Sequence, residues 1–127
     1  MPTYWRQERR LVYEVLILLA QYLNEAKVNC ILDATFNAER SRREIMRRLS
    51  LKPEEFIIIE CICQESIIYS RLKNRTNDYS DADISVYIKM KKIFEPITRP
   101  HIIIDTSNNL ITQKTSEIAK VLKEKSN

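Results

Sequence analysis

Not one glycine occurs among the 127 residues, and that absence limits what the chain can form more than any motif it contains. A loop that wraps a phosphate with successive main-chain N–H groups needs residues without a Cβ where the backbone turns tightly. Ordinary usage supplies glycine at roughly 7%. These residues therefore carry no glycine-rich phosphate cradle of the usual kind. The remaining turns are expected to use Asn or Asp wherever positive φ is required, as at Asn77–Asp78 and Asn108–Asn109.

The length suits a single domain over 1–127, large enough to bury a core. A net charge of +4 suits a polyanionic partner without demanding one. Arg6, Glu8, Arg9 and Arg10 directly follow Met1–Pro2, so no targeting segment is expected. The apolar stretch Leu11 to Leu23 is too short to span a bilayer and contains Glu14 and Gln21. Cys30, Cys61 and Cys63 lie in runs that read as buried strands. Cys61–Ile62–Cys63 lacks the second pair a zinc site wants. The expected state is free buried thiols in a reducing cytoplasm, away from membranes.

Hydrophobic spacing predicts a helix from Tyr4 to Glu25, with Leu11, Val15, Leu18, Leu19 and Tyr22 recurring at helical intervals. Val28 to Asp33 reads as a strand buried on both faces. A second, arginine-dense helix is expected over Ala38 to Leu49, ended before Pro53. Phe56 to Cys63 is the clearest strand, and Gln64 to Lys73 a third helix. A fourth helix, capped by Ser80 or Asp81, runs through Ile93 and stops before Pro96. His101 to Asp105 is a third strand, and Leu110 to Lys125 a closing helix. Strands separated by helices imply an α/β fold: a three-layer parallel sheet of about three strands with flanking helices.

Ligands of open α/β sheets sit beyond the carboxyl ends of the strands. Strand one ends there in Asp33, whose carboxylate can hold a magnesium ion through water or orient an attacking hydroxyl. Asn37 and Arg40 follow in the loop and first helical turn, where a phosphate would meet them. Taken alone, these residues read more readily as a strand-end turn residue, Asp33, and a solvated helix face of arginines. Arg71 and Arg75 stand four apart on one helix face, before the polar stretch Thr76 to Asp81. Guanidiniums so placed can close over a transferring phosphoryl group and neutralise its charge; an exposed helical arginine pair is the plainer reading.

The order of these motifs carries a resemblance. Leu32–Asp33–Ala34–Thr35–Phe36–Asn37–Ala38–Glu39–Arg40 comes first, then Phe56 to Cys63, then Arg71–Leu72–Lys73–Asn74–Arg75. Ser80 to Tyr87, Phe94–Glu95–Pro96 and Ile104–Asp105–Thr106 follow. This resembles the P-loop kinases of the polynucleotide kinase, gluconate kinase and zeta-toxin type, which are grouped with AAA ATPases. The resemblance covers nearly the whole chain and rests on order and spacing. It implies an ATP-dependent phosphotransferase using Mg and ATP, with a lid over about 71–83. It implies that Asp33 lies near magnesium, touching it through water, and near the acceptor. Thr35, Asn37 and Arg40 match the acceptor pocket, and Arg71 and Arg75 the lid arginines that contact phosphates. Asp105–Thr106 fall near the adenine edge.

Members of that family begin with a strand, a phosphate loop and a helix, and this sequence begins at the helix after that block. The expectation is a C-terminal portion of such a kinase, unable to bind ATP normally alone. A complementing chain, or a homo-oligomer formed through exposed sheet edges, would then complete it. A different reading is a non-catalytic module binding nucleic acid or protein through Arg6, Arg9, Arg10, Arg40, Arg42, Arg43, Arg47 and Arg48. No RNA-binding motif accompanies these arginines. An unrelated enzyme using a cysteine or His101 is disfavoured, because His101 begins its strand and two of the cysteines lie within theirs.

Overall fold

The computed structural model describes residues 2–75, 83–108 and 110–126. Their elements run α1 (Pro2–Glu25), α2 (Glu39–Arg48), β1 (Ile59–Ile62), α3 (Glu65–Lys73), α4 (Ile84–Ile93), β2 (Ile102–Asp105) and α5 (Ile111–Ser126). The chain falls into two compact units, Met1–Phe56 and Ile57–Asn127.

In the first unit, α1 and α2 pack through Ile17, Ala20, Ile45 and Leu49, with Leu32, Phe36, Leu51 and Phe56 against them. Ala20 is fully buried, and a side chain that small lets two helices approach closely. Glu39 in the first turn of α2, and Arg47 and Arg48 in its last, complement the helix dipole. Gln21 and Asn24 of α1 donate to the carbonyls of Arg48 and Leu49 at 3.3 and 3.2 Å. Two acceptors that α2 itself leaves open are thereby satisfied. Arg48 closes the arrangement by gripping both carboxylate oxygens of Glu14 at 2.9 and 2.8 Å.

The stripe that predicted α1 faces outward. Leu11, Val15, Leu18, Leu19 and Tyr22 are exposed, while the face turned to α2 carries Ile17 and Ala20. Periodicity located the helix but not the side that packs.

Both helices end in the same way. Val28 N bonds Leu23 O at 2.9 Å and Lys27 N bonds Asn24 O at 3.1 Å. Leu51 N bonds Met46 O at 3.0 Å and Ser50 N bonds Arg47 O at 3.2 Å. These are Schellman endings, which place one residue in the left-handed region. That residue is Lys27 (φ 61°) in α1 and Ser50 (φ 52°) in α2. The third positive-φ residue among those described is Phe36 (φ 37°). None is Asn or Asp, contrary to expectation: helix endings and tertiary contacts, not turn propensity, impose the geometry. Asn108 lies outside the left-handed set, and Asn77, Asp78 and Asn109 lie outside the described residues.

The expected strand Val28–Asp33 does not form. Residues 28–33 run outside any ladder, and Ile31 is 91% exposed. A ladder needs a partner's N–H and C=O groups, and an apolar run alone cannot supply them. Nor are the cysteines buried: Cys30 and Cys61 are exposed and Cys63 half-buried, all three free.

In the second unit, β1 and β2 pair in parallel, Ile59 opposite Ile102 through Ile62 opposite Asp105. The described sheet thus has two strands where three were expected. Glu60 reaches His101 across the strand starts, Oε2 to Nε2 at 2.7 Å, while Nδ1 of His101 faces the carbonyl of Arg99 at 2.9 Å. The cap of α4 is Asp83, which accepts from Val86 N at 3.0 Å and Ser85 Oγ at 2.6 Å. Ser80 and Asp81, the caps expected from sequence, lie outside the described residues, as does most of the expected lid.

Candidate functional site

The acceptor-side motif lies in the first unit, in the loop from Asp33 to Ala38 and the first turn of α2. Asp33 is exposed and makes no hydrogen bond or ion pair with a described residue. Its carboxylate is open to solvent. Thr35 Oγ1 lies 2.8 Å from Tyr13 Oη. Asn37 is half-buried, and Arg40 is exposed near the Glu44 carboxylate.

Phe36 holds this loop in shape. A bulky residue at φ 37° is strained, and every part of it is pinned. Its N–H donates to Tyr13 Oη at 3.1 Å. Its carbonyl accepts from Arg42 Nε at 2.8 Å. Its ring meets that of Tyr13 edge to face, 5.2 Å between centroids. Arg42 is 3% exposed and also bonds Glu39 Oε2 at 3.2 Å. Asp33, Thr35 and Asn37 thus sit on a loop fixed from α1 by Tyr13 and from α2 by Arg42. Sequence reasoning gave neither of them this role: Arg42 read as one more surface arginine. The signal was its offset of three from Glu39, which marks a same-face ion pair.

The lid-side motif lies in the second unit. Arg71, in the last turn of α3, does not project freely. Nη2 donates to the carbonyl of Thr106 at 2.6 Å, and Nη1 approaches Thr106 Oγ1 at 3.4 Å and Cys63 Sγ at 3.6 Å. Cys63 follows β1 and Thr106 follows β2, so the guanidinium bridges the carboxyl ends of both strands, the ligand end of such a sheet. Thr106 in turn bonds Ile62 O through its N–H (2.8 Å) and its hydroxyl (3.0 Å). Gln64 N donates to Ser107 Oγ at 2.8 Å. The Ser107 hydroxyl and N–H hold the Asp105 carboxyl below its ordinary value, with Lys114 adding a smaller effect. Arg75 is exposed and also engaged by other groups of the protein.

Behind this end, Glu65 ties α3 to α4. It accepts from Tyr69 Oη at 3.0 Å and pairs with Lys91, and the Tyr69 and Tyr87 rings meet edge to face at 5.8 Å. Lys91 first, then Tyr69, lowers the carboxyl's affinity for a proton.

A family model described as an AAA domain matches residues 1–97. The chain belongs to this AAA domain family. The matched span holds Asp33, Thr35, Asn37 and Arg40 as well as Arg71 and Arg75, while β2 and α5 lie beyond it. No curated protein and no solved structure matches the chain.

Four arginines of α2 are paired within the protein. Arg42 and Arg43 pair with Glu39, Arg47 with Glu44 and Arg48 with Glu14. Four of the eight arginines proposed as a basic surface thus spend charge within the protein, and nothing here favours that surface reading. Among the described residues, no cluster of three His, Cys, Asp or Glu side chains could hold a metal, and no helix is long and apolar enough to cross a membrane.

Proposed function

We propose that these residues supply the acceptor-facing and charge-neutralising parts of an ATP-dependent phosphotransferase of the P-loop kinase type, working in the cytoplasm. The supporting observation is the family match, which spans both motif groups in one continuous stretch. In this reading Asp33 orients the attacking hydroxyl and contacts magnesium through water, while Thr35, Asn37 and Arg40 line the acceptor pocket. Arg71 and Arg75 offset the charge that spreads over the transferring phosphoryl group. Bound Mg and ATP would supply the phosphoryl group and screen its charge.

No glycine is present to build the phosphate cradle, so the cradle comes from outside these 127 residues, whether from the same polypeptide or a complementing chain. Calorimetric titration of Mg–ATP into the isolated chain is therefore expected to show no binding; micromolar affinity would overturn this division of labour. Adding a strand, glycine loop and helix, fused or in trans, is expected to bring ATP turnover. Asp33→Asn and Arg71→Ala should each lower that turnover by about 10²-fold. Turnover indifferent to both substitutions would overturn the assigned roles.

A further inference from the structure

His101 is the single histidine of the chain, and both of its ring nitrogens are engaged. Nε2 lies 2.7 Å from Glu60 Oε2, and Nδ1 lies 2.9 Å from the carbonyl oxygen of Arg99. A carbonyl oxygen can only accept a hydrogen bond, and so can a carboxylate. Two bonds of this length therefore need an N–H on each nitrogen. A neutral imidazole has one N–H and an imidazolium has two. The contacts thus describe the charged ring; a neutral ring would turn a lone pair toward one of the two oxygens.

Its position makes that mismatch hard to relax. The His101 side chain is 14% exposed and that of Glu60 23%, so little water is at hand to separate an oxygen from a lone pair. Side chains alternate along a strand. Glu60 pairs with Ile103, and one full alternation back from Ile103 is His101, so the two side chains share a face at the start of the sheet. The ladder begins beside them, where Ile102 N donates to Ile58 O at 3.0 Å. The groups facing the ring are the Glu60 carboxylate, from β1, and the Arg99 carbonyl, from the segment before β2; Arg99 also carries a like charge two residues along the chain.

We propose that His101 and Glu60 form a proton-dependent latch, which closes the start of the β1–β2 sheet while the ring is an imidazolium and slackens once it is neutral. The carboxylate is the stronger acceptor, so the neutral ring keeps its proton on Nε2. The contact given up is the one to the Arg99 carbonyl, which frees the chain just ahead of β2. None of these residues belongs to the acceptor or lid groups, so the latch is independent of phosphotransfer.

A fold that favours the imidazolium holds its proton more tightly than an unfolded chain does. The latch therefore contributes fully below the ordinary histidine value of about 6.5, and its contribution is lost as pH rises through the higher folded value.

Nitrogen-15 NMR of the labelled chain follows the one imidazole without ambiguity. Its midpoint is expected above about 6.5, and the neutral form should be the Nε2–H tautomer. Protection of the Ile102 amide against hydrogen exchange should fall as the ring loses its proton. Glu60→Gln keeps the shape without the charge and should lower the midpoint by at least about half a unit, roughly a threefold loss of proton affinity. A midpoint at or below about 6.5 in the unaltered chain would overturn the latch, whether or not the variant folds. So would a midpoint unmoved in folded Glu60→Gln, or Ile102 protection indifferent to the titration. A neutral Nδ1–H tautomer would overturn the release of the Arg99 carbonyl.

Discussion

Arg42 Nε donates to the carbonyl of Phe36 at 2.8 Å, so a buried guanidinium holds the strained aromatic residue of the loop between Asp33 and Ala38. The same guanidinium reaches Glu39, and the contact joins the loop to the first turn of α2.

Replacing Arg42 by Met should therefore cost about 2–3 kcal/mol, because Glu39 loses a buried partner and the Phe36 carbonyl loses a donor. Arg42→Lys keeps the charge without the planar fork and should recover only part of this. Urea unfolding checks both; equal stability of all three proteins would mean that the contact holds nothing.

Tyr13→Phe isolates the hydroxyl. The ring keeps its edge-to-face contact with Phe36, but Thr35 Oγ1 and Phe36 N lose their partner. A loss of about 1 kcal/mol is expected. Amide hydrogen exchange should show faster exchange at Phe36, a local effect that a general loss of stability would not confine to one residue.

Glycine is expected to stabilise the chain where it is missing most. Lys27 and Ser50 occupy left-handed positions at two helix endings, where a Cβ costs energy. Lys27→Gly and Ser50→Gly should each add about 0.5–1 kcal/mol, and roughly additively. Lys27→Val should destabilise, since a β-branched residue tolerates that region least. Thermal unfolding of the three variants decides it.

Acid should act on the second unit through Glu65, Asp83 and Asp105, all held below their ordinary carboxyl values. Lys91 lowers Glu65 most, the Ser85 hydroxyl lowers Asp83, and the Ser107 hydroxyl lowers Asp105. Such groups bind a proton less readily folded than unfolded. Their contribution is thus complete above the ordinary values of 4.5 for Glu and 3.8 for Asp, and is lost as pH falls through the lower folded values. Glu65→Gln should flatten the fall in stability below about pH 4.5; an unchanged acid limb would show that Glu65 contributes nothing to it. Glu65 and Asp83 are exposed and Asp105 half-buried, so added salt should shrink the effect most at the first two.

The sequence made the helices legible because each carries several turns of local pattern: Leu11, Val15 and Leu18 suffice to place α1. It could not show which side of α1 packs, because Ala20, the most buried contact, carries almost no hydrophobic weight. The segment Val28–Asp33 misled for a related reason. Val, Ile and Leu describe a strand's side chains, but its existence depends on a partner ladder that no local pattern contains. The loop of residues 33–38 was singled out through Asp33 and Asn37, whereas its support from Tyr13 is an interaction 23 residues distant from Phe36. At the lid side, Arg71 was found by its spacing from Arg75, but its grip on Thr106 crosses 35 residues and had no trace in sequence.

The stretch from Val28 to Leu32 has a consequence for the protein's life in a cell. A stretch outside any ladder, anchored at Leu32 but with Ile31 almost wholly in water, is what chaperones bind and proteases cut. Substituting Ile31 by Ser is therefore expected to raise the protein's abundance in cells without moving its unfolding midpoint.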